Sequence, residues 1–264
     1  MYDKRIMARL FAVVAPTPLT ISFSLTSQPG VQSRAQGWGV GWYSQQHKAI
    51  VQKGMRSVIN QSTNEPVRIS ATTTVFLSHV RFASSGSVSA QNAHPFEFHD
   101  YLFAHSGTVN KELIESKLTP PFNENYQSEP IDSEVFFRFI IQMVKQAGVP
   151  DGMKKAIREA GDPNGINFLM TDGSTLYAYC RGLPLYYVRR NMSTPFHAFS
   201  QETGASFDSD TMASSPCIIV SSEKLTDDNW IAFDDHELFT AHTNLAYDST
   251  KIARHAELVS ASRQ

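Results

Sequence analysis

Between Val75 and Val109 the chain reads VFLSHVRFASSGSVSAQNAHPFEFHDYLFAHSGTV, and its chemistry-bearing side chains gather at two points. The apolar run Val75, Phe76, Leu77 leads into His79 and Arg81. A second run, Tyr101 to Ala104, leads into His105, Ser106 and Gly107. Both runs read as strands, joined by a polar loop punctuated with glycine. A sheet whose strands end in polar groups usually builds a site there. The plainer reading is a hairpin whose polar ends merely face water. Four histidines in the stretch, His79, His94, His99 and His105, raise the option of a metal centre, but their spacings match no zinc pattern.

The elements that must hold these residues belong to a chain of 264 residues, long enough to bury a large core as one domain. Hydrophobic content of 41% with 18% charged residues is that of an ordinary globular protein. The formal net charge of −2 supplies no electrostatic argument for nucleic acid or for an anionic membrane. Cys180 and Cys217 form neither a disulfide framework nor a metal-ligand pair, and both sit in apolar runs, as buried thiols do. The first twenty residues lack a charged segment followed by an unbroken apolar core and a cleavage site. No apolar run approaches the ~20 residues of a membrane-spanning helix. A cytoplasmic location is the default expectation.

Met7 to Val14 is a nearly continuous apolar run, the pattern of a strand buried on both faces, and Pro16 and Pro18 are read as closing it. Leu19 to Leu25 fits a short helix or a strand equally well. Gln28 to Gln36 reads as loop. Gly37 to Tyr43 with Ala49 to Gln52 reads as a hairpin. Asn60 to Thr73 is polar and reads as helical or irregular. After the central stretch, Asn110 to Leu118 is a short helix stopped by Pro120 and Pro121. The clearest helix carries Val135, Phe136, Phe139, Ile140, Met143 and Val144 at helical spacing, with Asp132 or Ser133 as its cap and Gly148 at its end. Met153 to Ala160 makes another. Strands follow at Ile166–Met170, Leu176–Cys180, Leu185–Val188, Cys217–Val220 and Glu237–Ala241, with Ser200–Ser215 read as a long surface loop. This order predicts an α+β layered sandwich. Residues 7–247 form the single domain, 1–6 an extension dispensable for folding, and 248–264 a tail, disordered or weakly helical.

Seven segments together resemble the class II glutamine amidotransferases: MARLFA, QGWGVGWY, LSHVRFAS, QNAHPF, FAHSG, IDSE and INFLMTDG. The stand-alone, single-domain members of the YafJ-like kind have the most similar arrangement. Each segment is weak alone; their shared order and spacing across Met7 to Ala241 is specific. The resemblance implies an N-terminal-nucleophile hydrolase fold, an αββα four-layer sandwich of two mainly antiparallel sheets. It also implies hydrolysis of the glutamine side-chain amide with no cofactor and no metal. In that chemistry an N-terminal cysteine attacks the amide carbon, and its own α-amine serves as base. A backbone N–H and an asparagine hold the oxyanion. An arginine fork receives the α-carboxylate and an aspartate the α-ammonium.

Carried over by motif, Arg81 in LSHVRFAS stands at the carboxylate-binding position and Asp132 in IDSE at the ammonium-binding position. Gly107 in AHSG is the glycine of the oxyanion loop. The plainer readings are a surface ion pair for Arg81 and a helix N-cap for Asp132. The catalytic half departs from the family. The nucleophile position is vacated, with Ala8 in the place of cysteine, and Ser106 replaces the oxyanion asparagine. Losing a nucleophile costs on the order of a million-fold in turnover, and losing one oxyanion donor about a hundred- to thousand-fold. The expectation is a protein that binds glutamine or a γ-glutamyl small molecule, with no nucleic-acid or membrane partner, and with activity lost or very low. The alternatives are a partner-binding or regulatory pseudoenzyme, and an active amidohydrolase whose cysteine was replaced.

Overall fold

The computed structural model describes residues 8–26, 35–55, 67–82, 89–126, 128–161, 165–192 and 194–252. Along the chain run β1 (Arg9–Leu25), β2 (Gly37–Tyr43), β3 (Ala49–Met55) and β4 (Val67–Arg81). Then come β5 (Phe96–Phe98), β6 (Tyr101–Gly107) and the helices α1 (Lys111–Glu115), α2 (Asp132–Ala147) and α3 (Asp151–Glu159). The second half supplies β7 (Ile166–Thr171), β8 (Thr175–Cys180), β9 (Tyr186–Arg190), β10 (Phe196–Phe199) and β11 (Ala205–Ser209). The last strands are β12 (Cys217–Ser221), β13 (Ile231–Ala232), β14 (Glu237–His242) and β15 (Tyr247–Lys251).

These strands make two antiparallel sheets. The first has the order β13-β9-β12-β1-β4-β2-β3, with β11 beside the far half of β1 and β10 outside it. The second has the order β15-β14-β8-β7-β6-β5. Between them lies a core of small and medium side chains: Leu10, Ala12, Val14, Val75 and Leu77 against Leu102, Ala104, Leu169 and Ala178. On the outer face of the second sheet, Phe103, Phe168 and Tyr179 pack under Phe136, Phe137, Ile140 and Met153 of α2 and α3. The class is α+β, a layered sandwich of two antiparallel sheets, as the sequence patterning predicts.

Five readings change. The central stretch is not one hairpin: β4 belongs to the first sheet and β6 to the second, so it bridges the two layers. Pro16 and Pro18 do not end β1. They sit in the register shift between Val14 and Leu19, where the pairing with β4 is interrupted, and the strand resumes to Leu25. Proline is tolerated there because no ladder hydrogen bond is asked of it. Val67 to Thr73 is strand, since Ala71 and Thr73 turn into the protein while Arg68, Ser70 and Thr72 stay outside. The polar surface loop read at Ser200–Ser215 contains β11, whose Ala205, Phe207 and Ser209 are buried by alternation. Phe207 stacks on Phe11 at 3.9 Å between centroids, closing the outer core of the first sheet. The chain stays in sheet to Lys251, four residues into the segment read as a tail, because β15 pairs with β14. The readings made for 1–6, for most of Gln28–Gln36, for Asn60–Pro66 and for the tail beyond 252 lie outside the described residues.

Gly39 in β2 shows how tightly the loop before β5 is pressed onto the first sheet. A Cβ there would sit 2.0 Å from the His94 carbonyl oxygen and 2.8 Å from the Lys53 Cβ. At Gly37 the nearest atom would be 3.4 Å away, an ordinary contact. Gly39→Ala is therefore expected to lose about 1–3 kcal/mol of stability, and Gly37→Ala much less. Urea denaturation of the two variants checks this; equal losses would mean that the loop is not wedged at Gly39.

Candidate active site

Strand parity brings the candidate residues together. Leu10 pairs with His79 and Arg9 with Val80. Leu10 points between the sheets, so His79 and Arg81 do too, and Ala8 lies beside the end of β4. On its other side β1 is fastened by Ser222, whose Oγ accepts the Leu10 N–H at 3.0 Å while its own N–H donates to the Leu10 carbonyl at 3.0 Å. From the opposite sheet, the Ser106 hydroxyl donates to the Ala8 carbonyl at 3.2 Å. Gly107 follows at φ +143°, where a Cβ would meet the Gly165 carbonyl oxygen at 2.2 Å, so only glycine fits.

The polar ends of β4 and β6 do not face water. His79, Arg81, His105 and Ser106 are each 6% exposed or less. Arg81 Nη1 donates to the Asn92 carbonyl at 3.3 Å. Burial lowers the proton affinity of its guanidinium, and the Asp132 charge works against that shift.

Asp132 opens α2, yet it is not the cap. Ile131 holds the N-cap position without a side-chain bond. The Asp132 carboxylate reaches instead to the chain leaving β6, where Oδ2 accepts the Val109 N–H at 3.0 Å. Ser133, also read as a possible cap, bonds His105 Nδ1 at 2.9 Å and donates to Asp132 Oδ1 at 3.5 Å. Ser133 thus links the His105 ring to the Asp132 carboxylate. His79 Nε2 lies 3.2 Å from the His105 carbonyl and must donate to it. The rings of His79 and His94 lie 4.2 Å apart.

Burial keeps all three rings neutral. It pushes His79 down to about 3 and His105 to about 4, against an opposing pull from Asp132. His94 is held well below the ordinary histidine value, first by burial and then by its neighbours' charges. His99 lies apart, edge-on to Phe98 at 4.2 Å. Among the described residues no three His, Cys, Asp or Glu side chains are grouped to hold a metal ion. Nor is any described helix long and apolar enough to cross a membrane.

Ala8, Arg81, Ser106, Gly107 and Asp132 thus converge where β1, β4 and β6 meet the start of α2. Two contributors were not singled out from sequence, the Asn92 carbonyl and the Val109 N–H, and Ser133 was read only as a helix cap. Asn92 and Ser133 lie inside QNAHPF and IDSE, so the motifs mark the segments. The use of a backbone atom leaves no mark on residue type.

A sequence profile of the glutamine amidotransferases class-II matches residues 7–261. The putative glutamine amidotransferase YafJ of Escherichia coli K12 is 24% identical over 250 residues, covering 83% of this chain and 91% of its own. A putative glutamine amidotransferase of Haemophilus influenzae is 22% identical over 212 residues, 72% of this chain and 68% of its own. Among solved structures, a predicted glutamine amidotransferase from Pseudomonas aeruginosa PA01 superposes with a TM-score of 0.70 at 24% identity, over 89% of this chain and 97% of that one. The glutamine phosphoribosylpyrophosphate amidotransferase of B. subtilis gives 0.58 at 14% identity, over 93% and 49%. The likeness to these structures is one of fold, the paired antiparallel sheets of the N-terminal-nucleophile hydrolases.

The buried neutral histidines have a measurable consequence. An unfolded histidine takes up a proton near pH 6.5, whereas His79 and His105 stay neutral in the fold to about 3 and 4. Between those values the unfolded chain binds more protons, so stability is full above pH 6.5 and falls as the pH drops, by about 1.4 kcal/mol per pH unit per histidine. Urea denaturation at pH 7 and pH 5 should show a lower midpoint at pH 5. His79→Gln and His105→Gln should each flatten that dependence, and a wild-type midpoint that does not move would contradict the assignment.

Proposed function

The chain belongs to the class II glutamine amidotransferase family, and from that premise we propose that it binds glutamine or a γ-glutamyl compound while hydrolysing it little or not at all. Arg81 receives the α-carboxylate and Asp132 the α-ammonium. Gly107 leaves its backbone open at the amide end, with Ala8 and Ser106 beside it. The ligand is a small molecule rather than a nucleic acid or a membrane, and a cytoplasmic setting goes with this reading.

One observation carries the loss of hydrolysis. Ala8 offers a methyl group where a nucleophile is needed, and the single proton of Ser106 is spent on the carbonyl of that same residue. Neither natural thiol can substitute. Cys180 and Cys217 are buried, and burial raises both to about 12. A second reading, a partner-binding member of the fold, draws support from Asp132. One of its oxygens already accepts the Val109 N–H, so part of its capacity serves the fold.

Titration calorimetry with glutamine, glutamate and γ-glutamyl dipeptides tests the binding. The wild-type chain should bind at least one of them, and Arg81→Met should weaken that binding about tenfold or more, as loss of a charge-assisted contact does. No heat from any of these ligands at millimolar concentration would sink the proposal.

Hydrolysis should return in a chain that begins at residue 8 and carries Ala8→Cys with Ser106→Asn. It would then have a thiol, a free α-amine to activate it and a second oxyanion donor. Ammonia release well above the parent is expected. Ala8→Cys behind an intact N-terminal segment should stay inactive, because its α-nitrogen is locked in a peptide bond. A trimmed double variant that binds glutamine but releases no ammonia would favour the partner-binding reading.

A further inference from the structure

Lys53 on β3 approaches the cleft from behind. Its ammonium donates to the Gln91 carbonyl at 3.0 Å and to the Ala93 carbonyl at 2.9 Å. These two carbonyls flank Asn92, whose own carbonyl accepts from Arg81 Nη1. The amine also lies over the Phe96 ring, 5.0 Å from its centroid. Gly39, directly across from Lys53 in the ladder, gives the loop the room to press against the sheet at His94. The loop that steers Arg81 is thus wedged at Gly39 and clipped by Lys53. Lys53 lines a cavity of about 550 Å³ together with Phe96, Glu134 and Arg138, a cavity to which Ala8, Arg81, Ser106 and Asp132 contribute nothing. The hydrogen bonds that connect it with Arg81 run through the loop.

We propose that Lys53 is a positioning residue for Arg81: it holds the Gln91 and Ala93 carbonyls so that the Asn92 carbonyl orients the guanidinium toward the ligand. This rests on the reading of Arg81 as the carboxylate fork. One ammonium serves both outward-turned carbonyls, a task no apolar side chain can do, and two charge-assisted bonds fix the loop more firmly than one. A bidentate carboxylate contact depends on the plane of the guanidinium, so a loop that rocks Nη1 reduces affinity without removing any group the ligand touches.

The test compares Lys53→Met, Lys53→Gln and Lys53→Arg with the wild type, using glutamine calorimetry, melting temperature and amide hydrogen exchange over residues 91–93. Lys53→Met should bind about tenfold more weakly and exchange faster at Asn92 and Ala93. Lys53→Arg, whose fork can span both carbonyls, should recover most of the affinity. If Lys53→Met does not fold, Lys53→Gln carries the comparison and should fall between the wild type and Lys53→Arg on one side and no binding on the other. Wild-type affinity in either the Met or the Gln variant overturns the inference while leaving the cleft reading intact. So does an Arg variant that binds no better than the Met variant, since the clip would then be only structural. A wild-type chain that binds no γ-glutamyl ligand removes the cleft reading, and this inference with it.

Discussion

Leu10 pairs with His79 and Phe11 with Ser78, and the rest of the site depends on this register, because strand side chains alternate between faces. It sends His79 and Arg81 between the sheets, and it sends Phe76, Ser78 and Val80 outward to the core shared with Phe11. Slipped by one residue, β4 would put Arg81 among phenylalanines and Val80 in the cleft. Such a slip would set a guanidinium in an apolar core without a partner and would cost several kcal/mol. The same alternation in β6 divides its polar end. His105 turns to the helix layer and Ser133, and Ser106 turns to Ala8.

That division gives the polar groups separate duties. His79 joins β4 to the backbone of β6, His105 joins β6 to Ser133 in the first turn of α2, and the His94 ring packs on His79, all three uncharged. Arg81 and Asp132 carry charge beside these rings, and Asp132 also pins the exit of β6. The low dielectric that keeps the histidines uncharged strengthens every remaining electrostatic contact nearby. None of these supports runs through the Ala8 side chain.

Much of this was legible in the residues, and each failure has its own physical cause. The buried run at Met7–Val14, the hairpin of β2 and β3, the periodic helix at α2 and the polar ends of β4 and β6 all follow from spacing. The far half of β1 was hidden by Pro16 and Pro18, whose lack of an N–H matters only where a ladder bond is needed. Val67–Thr73 and Ala205–Ser209 were hidden by short polar side chains on their outward faces, which look like loop until the alternate positions are weighed. The motifs identified Ala8, Arg81, Ser106, Gly107 and Asp132 as one group. They could not show that Asp132 serves Val109, or that Asn92 contributes a carbonyl, because every residue type owns a backbone.

The burial of Cys180 and Cys217 also bears on how the protein can be labelled. With both raised to about 12, the thiolate fraction of each at neutral pH is about one part in 100,000. Packed between and behind the sheets, they are closed to alkylating reagents as well as unreactive toward them. The native chain is therefore a chemically quiet background. A cysteine placed on any solvent-facing strand position would be labelled alone, without first removing the natural pair, so dyes or spin probes can be set across the two sheets of the folded protein.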